Sequence, residues 1–156
     1  MDRSATAPQP AGLRAVPLRL RVETSFSADE SLSGTPETIA GHHGREAAAL
    51  FAESVSFRIP HPPGIPWVPE VDSAEGMRTF FELLQTHVQA EEFDLRQVIA
   101  EGDDVVLIGR MISGVKKTGR DIDTAFALHT TVRDGRITRY HLYEDTYAVA
   151  EAYFGD

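Results

Sequence analysis

Residues able to hold or move a proton gather late in the chain, where Tyr140, Glu144 and Asp145 follow one another closely. A carboxyl such as Glu144 serves as a general acid or base near neutral pH when apolar surroundings disfavour its charged form. Tyr140 could donate a hydrogen bond to a substrate oxygen, or its ring could simply pack. Asp145 has the type and place of a helix N-cap that bonds the amides of Tyr147 or Ala148, and it could also be a second catalytic acid. Gln97 and Thr124 could orient a carbonyl or hydroxyl, although buried polar groups of this kind are often satisfied within the fold.

The histidines are weaker candidates. His129 shares a strand face with Asp121 and Asp123, and His141 shares one with Arg139, which reads as an exterior or subunit-contact surface. His42 and His43 are adjacent, so on a helix they point apart. No His-x-x-x-His or His-x-x-Glu-His spacing occurs and there is no cysteine, so neither a metal site nor a cofactor is expected. Gly114 and Gly119 have the spacing of a phosphate loop, but Arg120-Asp121 stand where Lys-Ser/Thr is required. Dinucleotide-binding and nucleophile-elbow motifs are absent from the sequence.

The elements that would position these groups form one domain of 156 residues, 42% of them hydrophobic. Residues 1–35 carry four charges of each sign, so the whole excess of -9 falls on 36–156. An acidic body disfavours nucleic acid and anionic membranes as partners, and no apolar run approaches the ~18 residues of a membrane span. Residues 1–15 read as a disordered tail without a secretory signal, which implies a cytoplasmic protein. Residues 16–34 form an extension with an edge-strand pattern at Val16 to Glu23, and 35–156 the domain proper. Short helices are expected from Thr35 to Ala40 and from His43 to Ala52, a strand at Val55–Ile59, and a helix from Ser73 to about Val88.

Three hairpin signals follow, at Gly102-Asp103, Thr118-Gly119 and Asp134-Gly135, spaced so that the intervening strands are long. A last helix is expected from Asp145 to Phe154. Period-two parity buries Ile122, Thr124, Phe126, Leu128 and Thr130, and puts Phe93, Leu95, Gln97 and Ile99 on one face. The last strand stays ambiguous by parity. The strand from Val105 is apolar on both faces, so the sheet could be covered by helices on one side and a second subunit on the other.

With this order of elements, the sequence resembles the SnoaL-like branch of the NTF2-like superfamily, which is related to the ketosteroid isomerases. The resemblance rests on Phe51-Ala52-Glu53, Thr118-Gly119-Arg120, Val132-Arg133-Asp134-Gly135-Arg136-Ile137 and Tyr143-Glu144-Asp145-Thr146, and it covers Thr35 to Phe154. It implies an α+β cone, with a curved antiparallel sheet wrapped by about three helices around an apolar cavity, and a homodimer. The related catalytic positions do not carry over. The isomerase base falls on Ile59 and its oxyanion-hole acid on Leu128. The acid–arginine–acid set of the limonene-epoxide hydrolases falls on Met111, Gly109 and Leu142.

What the resemblance leaves is a pocket lined by Phe57, Ile59, Phe93, Met111, Phe126, Leu128 and Leu142, with Tyr140 and Glu144 facing inward and His87 at the rim. Trp67, in a loop stiffened by Pro60, Pro62, Pro63, Pro66 and Pro69, is placed either as a lid or as a plug. The function implied is a small-molecule cyclase or isomerase acting on a hydrophobic polyketide- or terpenoid-type intermediate. The other reading is a non-catalytic ligand-binding or dimerisation module.

Overall fold

The structure is a computed structural model and describes residues 47–155. The expected elements at 16–23 and 35–40 lie outside these residues. The described elements are strand β1 (Phe51–Arg58), helix α1 (Ala74–His87), strands β2 (Val88–Glu101), β3 (Asp104–Val115), β4 (Asp121–Arg133) and β5 (Arg136–Glu144), and helix α2 (Thr146–Phe154).

The sheet order is β1-β5-β4-β3-β2. Turns with left-handed backbone at Gly102 (φ 57°), Gly119 (φ 71°) and Asp134-Gly135 (φ 50° and 75°) make the three hairpins of β2 to β5. The expectation of a wholly antiparallel sheet needs correction, because β1 pairs with β5 in parallel. Three hairpins reverse the chain three times, so β5 runs opposite to β2 and alongside β1. Helix α1 carries the chain between the two edges. The expected helix from His43 to Ala52 is also corrected at its end: Phe51 and Ala52 already belong to β1. The alanine run favours helix locally, but Phe51 is buried in the core and pairs with Ile137 of β5, whose N–H donates to the Leu50 carbonyl at 2.8 Å.

Helix α1 starts where Ser73 Oγ accepts the Gly76 N–H at 3.0 Å. Its face of Met77, Phe80 and Phe81, spaced three and four residues apart, is buried on the inner side of the sheet. Full burial of each such side chain contributes about 1.5–3 kcal/mol. A second, smaller cluster joins Ile65 and Trp67 to Val115, Ile122, Val149 and Ala152 beneath α2. Val68 and Leu84 touch both clusters.

In β2 the expected face breaks down. Register shifts between Ala90 and Glu92 and between Leu95 and Gln97 interrupt the pairing with β3. Each bulge moves the following residues out of step. Phe93, Leu95 and Val98 therefore pack against the core, while Gln97 and Ile99 are exposed. No helix of the described residues is long and apolar enough to cross a membrane.

Candidate functional site

The inner faces of β3, β4 and β5 are aligned by their register. Phe126 stands opposite Gly109 on one side and Glu144 on the other, and Leu128 stands opposite Leu107 and Leu142. Residues directly opposed across a ladder project from the same face, so Glu144 shares the inner surface with Phe126. Tyr140, two pairs further along β5, lies opposite Thr130. This settles the ambiguous last strand: Tyr140, Leu142 and Glu144 face inward, and His141 and Tyr143 face outward.

The surface around Glu144 is apolar for a reason visible in β3. A Cβ at Gly109 would collide with the Asp94 carbonyl and would lie 3.1 Å from Phe126 Cε1. The missing side chain lets the Phe126 ring lie over β3 and stack on Phe93, with centroids 5.2 Å apart and 27° between planes. The signal for this was an isolated glycine within a strand pattern, which marks a close approach.

Glu144 itself is half-buried, and its pKa is raised to about 7, first by burial among apolar groups and then by the neighbouring Asp145 charge. Its position is held from behind. The buried Thr124 hydroxyl accepts the Asp145 N–H at 2.9 Å and donates to the Ala125 carbonyl at 2.7 Å. Asp145 then caps α2, its Oδ1 accepting from the Tyr147 and Ala148 amides at 3.0 and 3.2 Å. Thr124 and Asp145 are thereby engaged in fixing the strand-to-helix junction that carries Glu144.

Tyr140 is enclosed by four rings. It stacks on Phe57 at 5.9 Å with 10° between planes, and Phe51, Phe80 and Phe81 lie 5.9–6.3 Å away. Burial, and secondly the charge of Glu144, raise its pKa well above the usual phenol range, so the hydroxyl stays protonated.

Of the residues picked out from the sequence, Phe57, Ile59, Phe93, Met111, Phe126, Leu128, Tyr140 and Leu142 are brought into one cluster. Trp67 and His87 belong to a different region. Trp67 is 4% exposed, packs edge-on to Tyr153 at 5.4 Å, and has the His87 ring at 6.3 Å. Gln97 is exposed, because the β2 bulge turns it out of the inner face.

The outer face of the sheet carries a polar network that parity assigned to the exterior but did not connect. Asp104 accepts from His129 Nε2 at 2.8 Å and from Thr131 Oγ1 at 2.7 Å, and Arg139 lies 3.9 Å away. These contacts, Thr131 first, hold the Asp104 carboxyl below its usual range. His141 Nε2 meets Ser56 Oγ at 2.9 Å, and its ring is edge-on to His129. Among the described residues no group of acids and histidines is arranged to hold a metal ion.

Comparison with known proteins fits this architecture. Residues 35–140 match the family model described as a SnoaL-like domain. An NTF2-like protein from Burkholderia xenovorans superposes with a TM-score of 0.68 at 21% identity, covering 86% of this chain and 93% of that one. A protein named as a candidate isomerase from Rhodopseudomonas palustris gives 0.66 at 19% identity, covering 76% and 93%. A candidate SnoaL-like polyketide cyclase from Mesorhizobium loti gives 0.55 at 16% identity, covering 81% and 97%. No curated protein sequence matches the chain.

Proposed function

The chain belongs to the SnoaL-like domain family of the NTF2-like fold, and from that premise we propose that it is a small-molecule cyclase or isomerase that acts through Glu144 on a hydrophobic, enolisable intermediate of polyketide or terpenoid type. The observation that carries the reading is the Glu144 carboxyl opposite Phe126 on an apolar inner surface, its pKa raised to about 7. Such a group is present in both protonation states at neutral pH, which suits it to take a proton and give it back.

One carboxyl balances either reaction. In an isomerisation, Glu144 takes a proton from the carbon beside a carbonyl, the double bond shifts, and the same proton returns to a more distant carbon. In a ring closure, the enolate attacks a second carbonyl of the same substrate, and the new alkoxide recovers the proton from Glu144. Neither route needs a cofactor or co-reactant. Tyr140 lies on the same face, where its ring, 1% exposed, forms part of the apolar wall. The inner surface acts as the wall of an apolar cavity that folds the substrate, and positioning of this kind lowers barriers by several kcal/mol.

The test is turnover of a panel of neutral polycyclic enones and poly-β-ketone mimics by the wild-type protein and Glu144→Gln. Loss of about 10²–10⁴-fold in the variant supports the reading, and equal activity removes Glu144 from it. One observation favours a second reading, a ligand-binding or dimerisation module without catalysis. Met77, Phe80 and Tyr140 are at most 1% exposed, so this part of the interior is already filled by the protein's own rings. On that reading Glu144→Gln leaves ligand affinity unchanged.

A further inference from the structure

On the outer face of β5, away from the side that carries Glu144, a group of cations has more donors than acceptors. The register sets Ser56 beside Arg139, Arg58 beside His141, and His129 opposite His141. Among the described residues the only carboxylate paired with this group is Asp104. Its Oδ1 already accepts from His129 Nε2 and Thr131 Oγ1, and Arg139 Nη1 is left 3.9 Å away, beyond hydrogen-bond reach. Arg139 Nε is buried and has no acceptor among the described residues. Buried donors are nearly always paired, so this one calls for an acceptor from elsewhere. The Arg139 side chain is nevertheless 42% exposed, so its fork can be reached from solvent.

Arg58 is exposed, and Ser56 Oγ lies 2.9 Å from His141 Nε2. With Asp104 counted, the two arginines leave one net positive charge while the imidazoles are neutral, and two once His141 is protonated. Two guanidiniums, a hydroxyl and an imidazole on adjacent strands offer charge-assisted donors from several directions, which suits an oxyanion with several acceptor oxygens. We propose that this cluster is a binding site for a tetrahedral dianion, a phosphate or sulfate group, held by Arg58, Arg139 and His141. Tyr143, 44% exposed and two residues along β5 on the same face, lies beside it for the apolar part of an organic ester.

Binding also draws a proton. His141 is held below its usual pKa, first by burial and then by Arg139, His129 and Arg58. The groups facing it are Ser56 and Arg58 of β1, Arg139 and Tyr143 of its own strand, and His129 of β4, with Asp104 of β3 behind His129. A dianion laid among them offsets the two arginines and favours the charged imidazole. By reciprocity, protonation of His141 tightens the anion.

The experiment is a titration of the full chain with sodium sulfate at constant ionic strength. It is followed by nuclear magnetic resonance of the arginine Nε–H and histidine ring signals, with Arg139→Gln and His141→Asn assigning the two of interest. Sulfate stays doubly charged from pH 5.5 to 8, so any pH dependence belongs to the protein. The expected result is a saturable shift of both signals, a His141 pKa raised by saturating sulfate, and binding tighter by about threefold or more at pH 5.5 than at pH 8. Arg58→Gln, at an exposed position, is expected to keep the fold and weaken binding by about tenfold or more, whereas Arg78→Gln on α1 leaves it unchanged. Phenyl phosphate and inorganic phosphate, both dianions at pH 8, separate the sources. Tighter binding of the ester assigns the site to an organic monoester that reaches Tyr143, and equal binding assigns it to the free ion. Shifts that never saturate, that matched chloride reproduces, or that survive Arg58→Gln unchanged overturn the proposal. None of these readouts depends on whether Glu144 turns over a substrate.

Discussion

Glu144 stands directly opposite Phe126 across the β4–β5 ladder, so the only strongly shifted carboxyl of the described residues shares its face with an aromatic ring. The ring is there because Gly109 leaves room for it on the far side. A proton-transfer group and its apolar surround thus follow from one line of register, Gly109–Phe126–Glu144.

Stability should report the cost of the buried carboxyl. The folded pKa of about 7 lies above the ordinary value of 4.5, so charging Glu144 opposes folding progressively as pH rises between these values, and not below them. Glu144→Gln is expected to match wild type near pH 4 and to be more stable at pH 8. The gain, discounted for partial exposure, is about 1–2 kcal/mol. Melting temperatures at the two pH values check this, and a variant less stable at pH 8 contradicts it.

Gly109→Ala should damage the site without touching Glu144. The added methyl meets the Asp94 carbonyl and crowds Phe126, and overpacking of this kind costs about 1–3 kcal/mol. Phe126→Ala leaves a cavity instead, at about 3–5 kcal/mol. Denaturant midpoints measure both losses.

The junction behind Glu144 should be separable from catalysis. Asp145→Ala removes the cap on α2 and is expected to cost about 1 kcal/mol, with any activity reduced far less than by Glu144→Gln. Comparable losses of activity in the two variants, at equal folded fraction, would assign Asp145 a chemical role.

Trp67 should behave as a core residue. At 4% exposure between Tyr153 and the His87 ring, it is expected to emit at short wavelength and to resist quenching by acrylamide. Ready quenching would place it instead on an open lid.

Much of this fold could be read from the chain because its punctuation is local. Gly102, Gly119 and Asp134-Gly135 adopt the left-handed backbone that their types favour, and Ser73 and Asp145 cap the helices that follow them. What escaped were features decided at a distance. Gln97 kept its expected parity only until a bulge two residues earlier, which nothing in Leu95-Arg96-Gln97 announces. Phe51 and Ala52 end a run of good helix formers, yet they join β1 because β5 lies alongside. Glu144 was legible as a candidate from the family resemblance, whereas its inward face needed the pairing with Phe126. The joining of Asp104, His129 and Thr131 depended on the β3–β4 register, and Trp67 found its partners in α2, the last element of the chain.

The most direct test of the account is the ionisation of Glu144 itself, followed by its side-chain carboxyl carbon-13 shift from pH 4 to 9, with Glu144→Gln to assign the signal. A titration near pH 7 is expected, well separated from the ordinary glutamate range. A midpoint at or below about 5, in the ordinary glutamate range, would mean a solvated carboxylate and would remove the acid–base group on which the proposed chemistry depends.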